Sequence, residues 1–68
     1  MNEDHLNLEI RKFLKKVGIS SQRLLESKIK DFFKNKILKI GDELEIEMKM
    51  TIKNHSVEHL VSDKIKIE

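Results

Sequence analysis

Residues 15–26 have the sequence KKVGISSQRLLE, and this stretch decides how the helical part of the chain is built. Gly18 stands where a helix commonly ends in a left-handed residue, a conformation that glycine adopts without steric cost. Ser20 then has the side chain of an N-cap, and Ile19 can pack on Leu24 as a hydrophobic staple. The stretch therefore predicts a tight corner that ends one helix and begins a second.

Apolar residues at helical spacing lie on both sides of this corner. On the N-terminal side they predict a helix over about residues 4–17, and on the C-terminal side a second helix over about residues 20–36. The apolar positions are Leu6, Ile10, Phe13, Leu14 and Val17 in the first helix and Leu24, Leu25, Ile29, Phe32 and Phe33 in the second. We expect the two helices to form a helical hairpin.

The apolar period changes from 3.6 to 2 after Gly41, which indicates β-structure. Strands are predicted over about residues 43–53 and 57–67, joined by a two-residue loop at Asn54 and His55. Between the second helix and the first strand, residues 37–40 either form a short third strand or end the helix.

The register of this β-hairpin follows from its apolar face, because even-numbered core positions of the first strand must face odd-numbered ones of the second. A two-residue loop gives paired residue numbers that sum to 109. The predicted core pairs are Ile52 with Val57, Met48 with Val61 and Leu44 with Ile65. On the outer face the same register places Glu45 opposite Lys64 and Glu43 opposite Lys66, which are favourable cross-strand pairs.

The expected fold class is α+β, in the order ααββ, with the two N-terminal helices forming a hairpin and the C-terminal antiparallel β-hairpin packed on them. Residues 1–68 should make a single small domain, since a chain this short buries only about 60% of the surface that it exposes when unfolded. A lone two-stranded sheet is marginal in water, so its apolar face should lie on the helices or extend across a dimer.

Composition narrows the class of protein. The chain has no cysteine, which excludes disulfides, thiolate metal sites and a thiol nucleophile, and which fits a reducing compartment. No apolar run approaches the roughly 18 residues of a membrane span, and the N-terminus MNEDHLNLEI is acidic where a signal peptide would be basic. We therefore expect a cytoplasmic protein without a membrane partner.

Catalytic and metal-binding patterns are weak. His55 and His59 are four residues apart, which on a strand separates them by about 13 Å, too far for one metal ion. His59 and Asp63 are equally far apart, and Ser62 points to the other face, so no nucleophile, base and acid can converge. Ser62 and Asp63 are instead expected to mark a bulge that turns Asp63 toward water. We expect no enzymatic activity, no cofactor, no metal and no small-molecule substrate.

Charge is divided between the two halves of the chain. Residues 1–40 carry ten lysines and arginines against five acidic residues, whereas residues 41–68 carry four against seven. The candidate interaction surface is the basic group around the corner, which consists of Arg11, Lys12, Lys15, Lys16, Gln22 and Arg23. These side chains either bind a partner or serve only to solubilise the protein.

A DNA-binding helix-turn-helix has a similar corner, in which apolar residues flank the turn glycine as Val17 and Ile19 do here. Two further apolar positions of that motif are occupied by Phe13 and Leu24. That motif also requires a small residue four positions before the glycine and an apolar residue nine positions after it. Leu14 and Ser27 occupy these positions, so two of six positions fail. A winged helix is a related alternative, but it normally uses three helices, and the acidic hairpin would repel a phosphate backbone.

The run IRKFLKKVGISSQRLLE, preceded by MNED and followed at the C-terminus by VSDKIKIE, resembles a family of short proteobacterial proteins of unknown function. The similarity extends over nearly the whole chain and is most specific between Ile10 and Arg23. It implies a small α+β bacterial protein and supplies no activity, cofactor or binding residue.

These observations favour a small non-enzymatic protein-interaction or adaptor module that binds a protein partner or forms a homodimer. The alternative is a nucleic-acid-binding protein of helix-turn-helix or winged-helix type that uses the same basic surface.

Overall fold

The computed structural model describes the whole chain. It contains one α-helix, α1 (Glu3–Lys34), followed by two β-strands, β1 (Glu43–Ile52) and β2 (Val57–Lys66). The two strands form an antiparallel hairpin. The predicted α+β class with a C-terminal β-hairpin is therefore confirmed. The chain comprises two compact units, residues 1–37 and residues 38–68, and each is described by itself.

The predicted helical hairpin is wrong, because the chain forms one continuous helix of 32 residues through the expected corner. Gly18 does not adopt a positive φ; Gly41 is the glycine that does. Ser20 is not an N-cap, because its hydroxyl donates to the carbonyls of Lys16 and Val17, at 3.0 and 3.3 Å, within the same helix. The two residues that predicted a corner, Gly18 and Ser20, therefore lie inside a regular helix.

Ile19 and Leu24 likewise form no staple, because residues five apart on one helix point about 140° away from each other. Continuation of the helix is favoured by its hydrogen bonds. Ending a helix and starting another leaves four N–H and four C=O groups without helical partners, and a single serine cap satisfies only one or two of them. A glycine inside a helix costs only about 1 kcal/mol relative to alanine, so Gly18 is tolerated.

Both ends of α1 are defined by specific residues. Asn2 is the N-cap, and its side-chain oxygen accepts a hydrogen bond from the His5 N–H at 3.0 Å. At the C-terminus the Lys36 N–H donates to the Phe33 carbonyl at 3.1 Å, and the Ile37 N–H donates to the Phe32 carbonyl at 2.8 Å. This pair of bonds is a Schellman motif, in which Lys36 takes the left-handed position with φ of 62°.

The predicted register of the β-hairpin is confirmed. The ladder runs without interruption from Glu43 opposite Lys66 to Ile52 opposite Val57, so paired residue numbers sum to 109 throughout. Each strand ends one residue earlier than predicted, β1 at Ile52 and β2 at Lys66. The loop consequently has four residues, 53–56, in place of the predicted two, with the His55 N–H donating to the Ile52 carbonyl at 3.1 Å.

Residues 37–40 form neither a third strand nor the end of the helix. They lead into a turn in which the Asp42 carboxylate accepts a hydrogen bond from the Lys39 N–H at 3.0 Å. Gly41 and Asp42 then pair with Ile67, because the Gly41 N–H donates to the Ile67 carbonyl and the Ile67 N–H donates to the Asp42 carbonyl. Leu38 and Ile67 are the two buried apolar residues of the protein.

Candidate interaction surface

Ten apolar residues of α1 form what we call the apolar stripe, and none of them is buried. The exposed fraction reaches 54% for Phe13 and Leu14 and 59% for Leu24. The members of the apolar stripe are Leu6, Ile10, Phe13, Leu14, Val17, Leu24, Leu25, Ile29, Phe32 and Phe33. Isolated exposed apolar residues are ordinary, whereas exposed apolar residues grouped along one helix are unusual for a soluble monomer.

The apolar stripe consists of two segments, residues 6–17 and residues 24–33. The polar residues 20–23, Ser-Ser-Gln-Arg, separate them. At 100° per residue the mean directions of the two segments differ by roughly 80° around the helix axis. The stripe therefore winds around α1, and a partner must follow this winding to cover both segments.

The six residues of the predicted basic surface lie on α1 in two rows. Arg11, Lys15 and Gln22 form the first row, and Lys12, Lys16 and Arg23 form the second. Within each row the residues are 4 and 7 positions apart, which keeps them within about 40° of arc. The continuous helix thus brings together side chains that the predicted corner would place on two separate helices. All six are exposed.

Lys30 and Lys34 continue the second row and are not among the surface residues predicted from the sequence. Together with Lys12, Lys16 and Arg23 they form a basic ridge of five cations along one side of α1. From residue 12 to residue 34 the basic ridge extends over about 33 Å at 1.5 Å per residue. The intervals of 4, 7, 7 and 4 residues were the available signal, but a corner at Gly18 would have divided them between two helices.

Two residues of the two basic rows interact with acidic side chains of α1. The Lys12 ammonium lies 3.7 Å from the Glu9 carboxylate, and the Gln22 amide donates to the Glu26 carboxylate at 3.0 Å. Exposed pairs of this kind contribute about 0.2–1 kcal/mol and are weakened by salt. Lys16, Arg23, Lys30 and Lys34 form no ion pair with an acidic residue of the chain, so their charges are available to a partner.

A continuous helix removes the structural basis of the helix-turn-helix comparison. That motif and the winged helix both need a second helix that crosses the first, and the structure contains one helix. A nucleic-acid interaction would have to use the basic ridge along a single helix.

The histidine, serine and aspartate of β2 form no catalytic arrangement. His59 pairs with Met50 and Asp63 pairs with Ile46, four ladder positions apart, while Ser62 belongs to the opposite face. The predicted bulge at Ser62 and Asp63 is wrong, because the one-to-one pairing continues through both residues. Nowhere do three histidine, aspartate or glutamate side chains come together in a way that could hold a metal ion.

The hairpin carries a second apolar face, which is half-buried at Leu44 and Ile46 and exposed at its other apolar residues. Leu44, Ile46, Met48, Met50 and Ile52 of β1 share one side with Val57, Val61 and Ile65 of β2. Met48 and Val61, which pair at the centre of this face, are 43% and 56% exposed. On the other face the Lys49 ammonium lies 3.2 Å from the Glu58 carboxylate.

Comparisons with known proteins give a family for the whole chain. Residues 1–68 match the family model described as a family of unknown function, DUF6494. Neither the curated proteins nor the solved structures contain a match to this sequence. No helix of the structure has both the length and the apolar composition that are needed to cross a membrane.

Proposed function

Since the chain belongs to DUF6494, a family of unknown function, we propose from its surface that it is a small non-enzymatic protein-interaction module. In this proposal α1 binds a protein partner through the apolar stripe, and the two basic rows lie on the other side of the helix, where a partner that wraps around α1 contacts them. A cytoplasmic location is part of the proposal, because a chain without cysteine has no need of an oxidising compartment.

The observation that carries this proposal is an amphipathic helix of 32 residues that has no buried side chain. Most of the stability of such helices in proteins comes from packing of the apolar face rather than from helix propensity. A partner that covers the apolar stripe would supply this packing. Helix-in-groove recognition uses apolar anchors at intervals of three and four residues, which is the spacing of Ile10, Phe13, Leu14 and Val17.

The basic rows would add specificity and speed to such a contact. Charged groups at the rim of an interface steer association and reject partners of like charge more than they add affinity. Arg11, Lys15 and Gln22 lie on the opposite side of α1 from Phe13. A partner that engages both surfaces must therefore wrap around the helix and present acidic residues to its basic side.

The chain offers a matched pair of residues for testing this proposal. Leu14 belongs to the apolar stripe and is 54% exposed, whereas Leu8 lies on the opposite side of the same helix and is 51% exposed. Replacing either leucine by glutamine keeps helix propensity nearly constant. If the stripe binds the partner, Leu14→Gln should weaken binding at least tenfold, because a buried leucine contributes about 1.5–3 kcal/mol.

The measurement is affinity purification from the native host with the tagged chain, with and without nuclease, comparing wild type, Leu14→Gln and Leu8→Gln. We expect the same protein to be retained by wild type and Leu8→Gln and lost with Leu14→Gln. Equal retention by both variants would contradict the role of the apolar stripe. Retention that disappears with nuclease would favour the second candidate function instead.

Nucleic-acid binding is the second candidate, and the observation that favours it is the basic ridge. Five cations in contact with phosphates predict a slope of log K against log salt of about −4.5 for duplex DNA. Fluorescence anisotropy with a labelled duplex and a labelled single strand measures this slope. Replacing both Lys16 and Arg23 by alanine should reduce its magnitude by about 1.8. No binding at low salt would rule this function out.

A further inference from the structure

We propose that the protein partner of α1 is a second copy of this chain and that the two α1 helices pair antiparallel about a centre near residue 19, coiling around each other along the winding of the apolar stripe. This inference rests on the proposed function, because it identifies the occupant of the apolar stripe. It is supported by two independent patterns along α1, one in the apolar residues and one in the charges.

The apolar stripe is nearly symmetric about this centre. In an antiparallel pair, residues at the same level have numbers with a constant sum, and a sum of 39 pairs three residues of the first segment with three of the second. Leu6 then faces Phe33, Ile10 faces Ile29, and Leu14 faces Leu25. Phe13 lies one residue away from the level of Leu25, and Val17 faces the polar residue Gln22.

Charge decides between the antiparallel and parallel arrangements. Residues 1–9 carry three acidic side chains and no lysine or arginine, whereas residues 28–36 carry four lysines and one aspartate. An antiparallel pair places a segment of charge −3 beside one of charge +3 at both ends. A parallel pair places like charges together at both ends. Interfaces are arranged so that opposite potentials meet, which favours the antiparallel pair.

One particular ion pair follows from this geometry. Glu9 and Lys28 lie on the same flank of their respective stripe segments, each within about 90° of the segment's mean direction. Residues on the same flank approach each other across an antiparallel pair, and the residue numbers 9 and 28 add up to 37, two less than the sum of 39 for residues at the same level. Glu9 also lies 3.7 Å from Lys12 of its own helix, so it would bridge two cations.

A membrane surface is the competing occupant, because a helix with a lysine-rich side and exposed phenylalanines can lie in a lipid interface. The acidic residues 1–9 argue against it, since anionic headgroups would repel this end of α1. The paired charges of the two ends are explained by self-association and have no counterpart in a lipid surface.

Because the full chain contains no cysteine, single cysteines can carry spin labels at chosen sites. Asn7→Cys and Ser20→Cys replace exposed polar residues, one near the end of α1 and one near the centre. In the antiparallel dimer the two labels at residue 7 should lie about 35 Å apart or more, and those at residue 20 should be closer than about 25 Å. Double electron–electron resonance measures both distances.

Light scattering should show a dimer whose dissociation constant rises at least tenfold with Leu14→Gln and is unchanged with Leu8→Gln. Glu9→Lys should weaken the dimer about two- to fivefold, and addition of Lys28→Glu should restore it. Circular dichroism of each variant verifies that α1 is retained.

A chain that stays monomeric at millimolar concentration overturns the inference, and so do short distances at both labels, which indicate a parallel pair. If the monomer binds anionic vesicles and Leu14→Gln abolishes this binding, the apolar stripe is a membrane-binding surface and the inference is also overturned. If the monomer instead retains a different protein through Leu14, the inference fails while the proposed function stands.

Discussion

Replacing Gly18 by alanine tests the continuity of α1 directly. In the structure Gly18 has helical φ, and a Cβ atom added there would meet nothing within 4 Å. Alanine is the best helix former and glycine is among the poorest. The substitution should therefore stabilise the middle of α1. If residues 15–26 instead formed a corner with a left-handed glycine, the same substitution would destabilise it.

The size of the effect separates the two structures clearly. In a helix interior the change from glycine to alanine is worth about 1 kcal/mol, which is roughly a fivefold change in the equilibrium for local opening. At a left-handed position alanine costs about 1–2 kcal/mol instead. The two cases differ by about 2–3 kcal/mol and have opposite signs.

Amide hydrogen exchange of residues 19–23 measures local opening at the centre of α1, and circular dichroism at 222 nm measures total helix content. We expect about fivefold slower exchange and a stronger helical signal for Gly18→Ala, with all variants compared at one low protein concentration. Gly41→Ala is the matched control, because Gly41 has a φ of 95° and alanine is strained there. That control should weaken the hairpin and leave the exchange of residues 19–23 unchanged.

Faster exchange or a weaker helical signal in Gly18→Ala would refute the reasoning. It would mean that Gly18 adopts a conformation that alanine cannot reach, and that α1 is interrupted there. The alignment of the basic ridge and the symmetry of the apolar stripe would then lose their basis.

Two further predictions concern the ends of α1. Asn2→Ala removes the hydrogen bond from the His5 N–H and should cost about 1 kcal/mol, seen as faster amide exchange in the first turn, whereas Asn7→Ala should show no such loss. Equal fraying in both variants would count against Asn2 as the cap. Lys36→Gly should stabilise the end of α1 by about 1 kcal/mol, because lysine pays a steric penalty at a φ of 62° that glycine does not. Thermal unfolding checks this, and a lower midpoint would contradict it.

The register of the hairpin could be predicted because a strand has a side-chain period of two. Slipping the pairing by one residue would move every apolar side chain to the opposite face, so the apolar pattern of Leu44 to Ile52 allows few alternatives. The exact loop was less constrained, since the four-residue loop 53–56 supports the same pairing as a two-residue one.

The left-handed residue that follows α1, Lys36, could not be recognised in the same way. Glycine or asparagine usually marks a left-handed C-terminal position, and lysine gives no such signal. Conversely, Gly18 predicts a left-handed residue at a helix end, but it lies inside α1 and does not have a positive φ. Gly18 and Ser20 are each compatible with a corner and with a helix interior, so their identity alone does not distinguish the two.

The sequence by itself therefore determined the elements with strong periodicity, namely the apolar stripe, the two strands and their register. Only the three-dimensional structure decided that the helical segments join, because residues 15–26 carry the local signals of a corner, whereas a joined helix costs only about 1 kcal/mol for its glycine and avoids the unpaired groups of two new helix ends. The continuity of α1 also determines the candidate site. It places Lys12, Lys16 and Arg23 in one row with Lys30 and Lys34, and it leaves the apolar stripe exposed along a single helix.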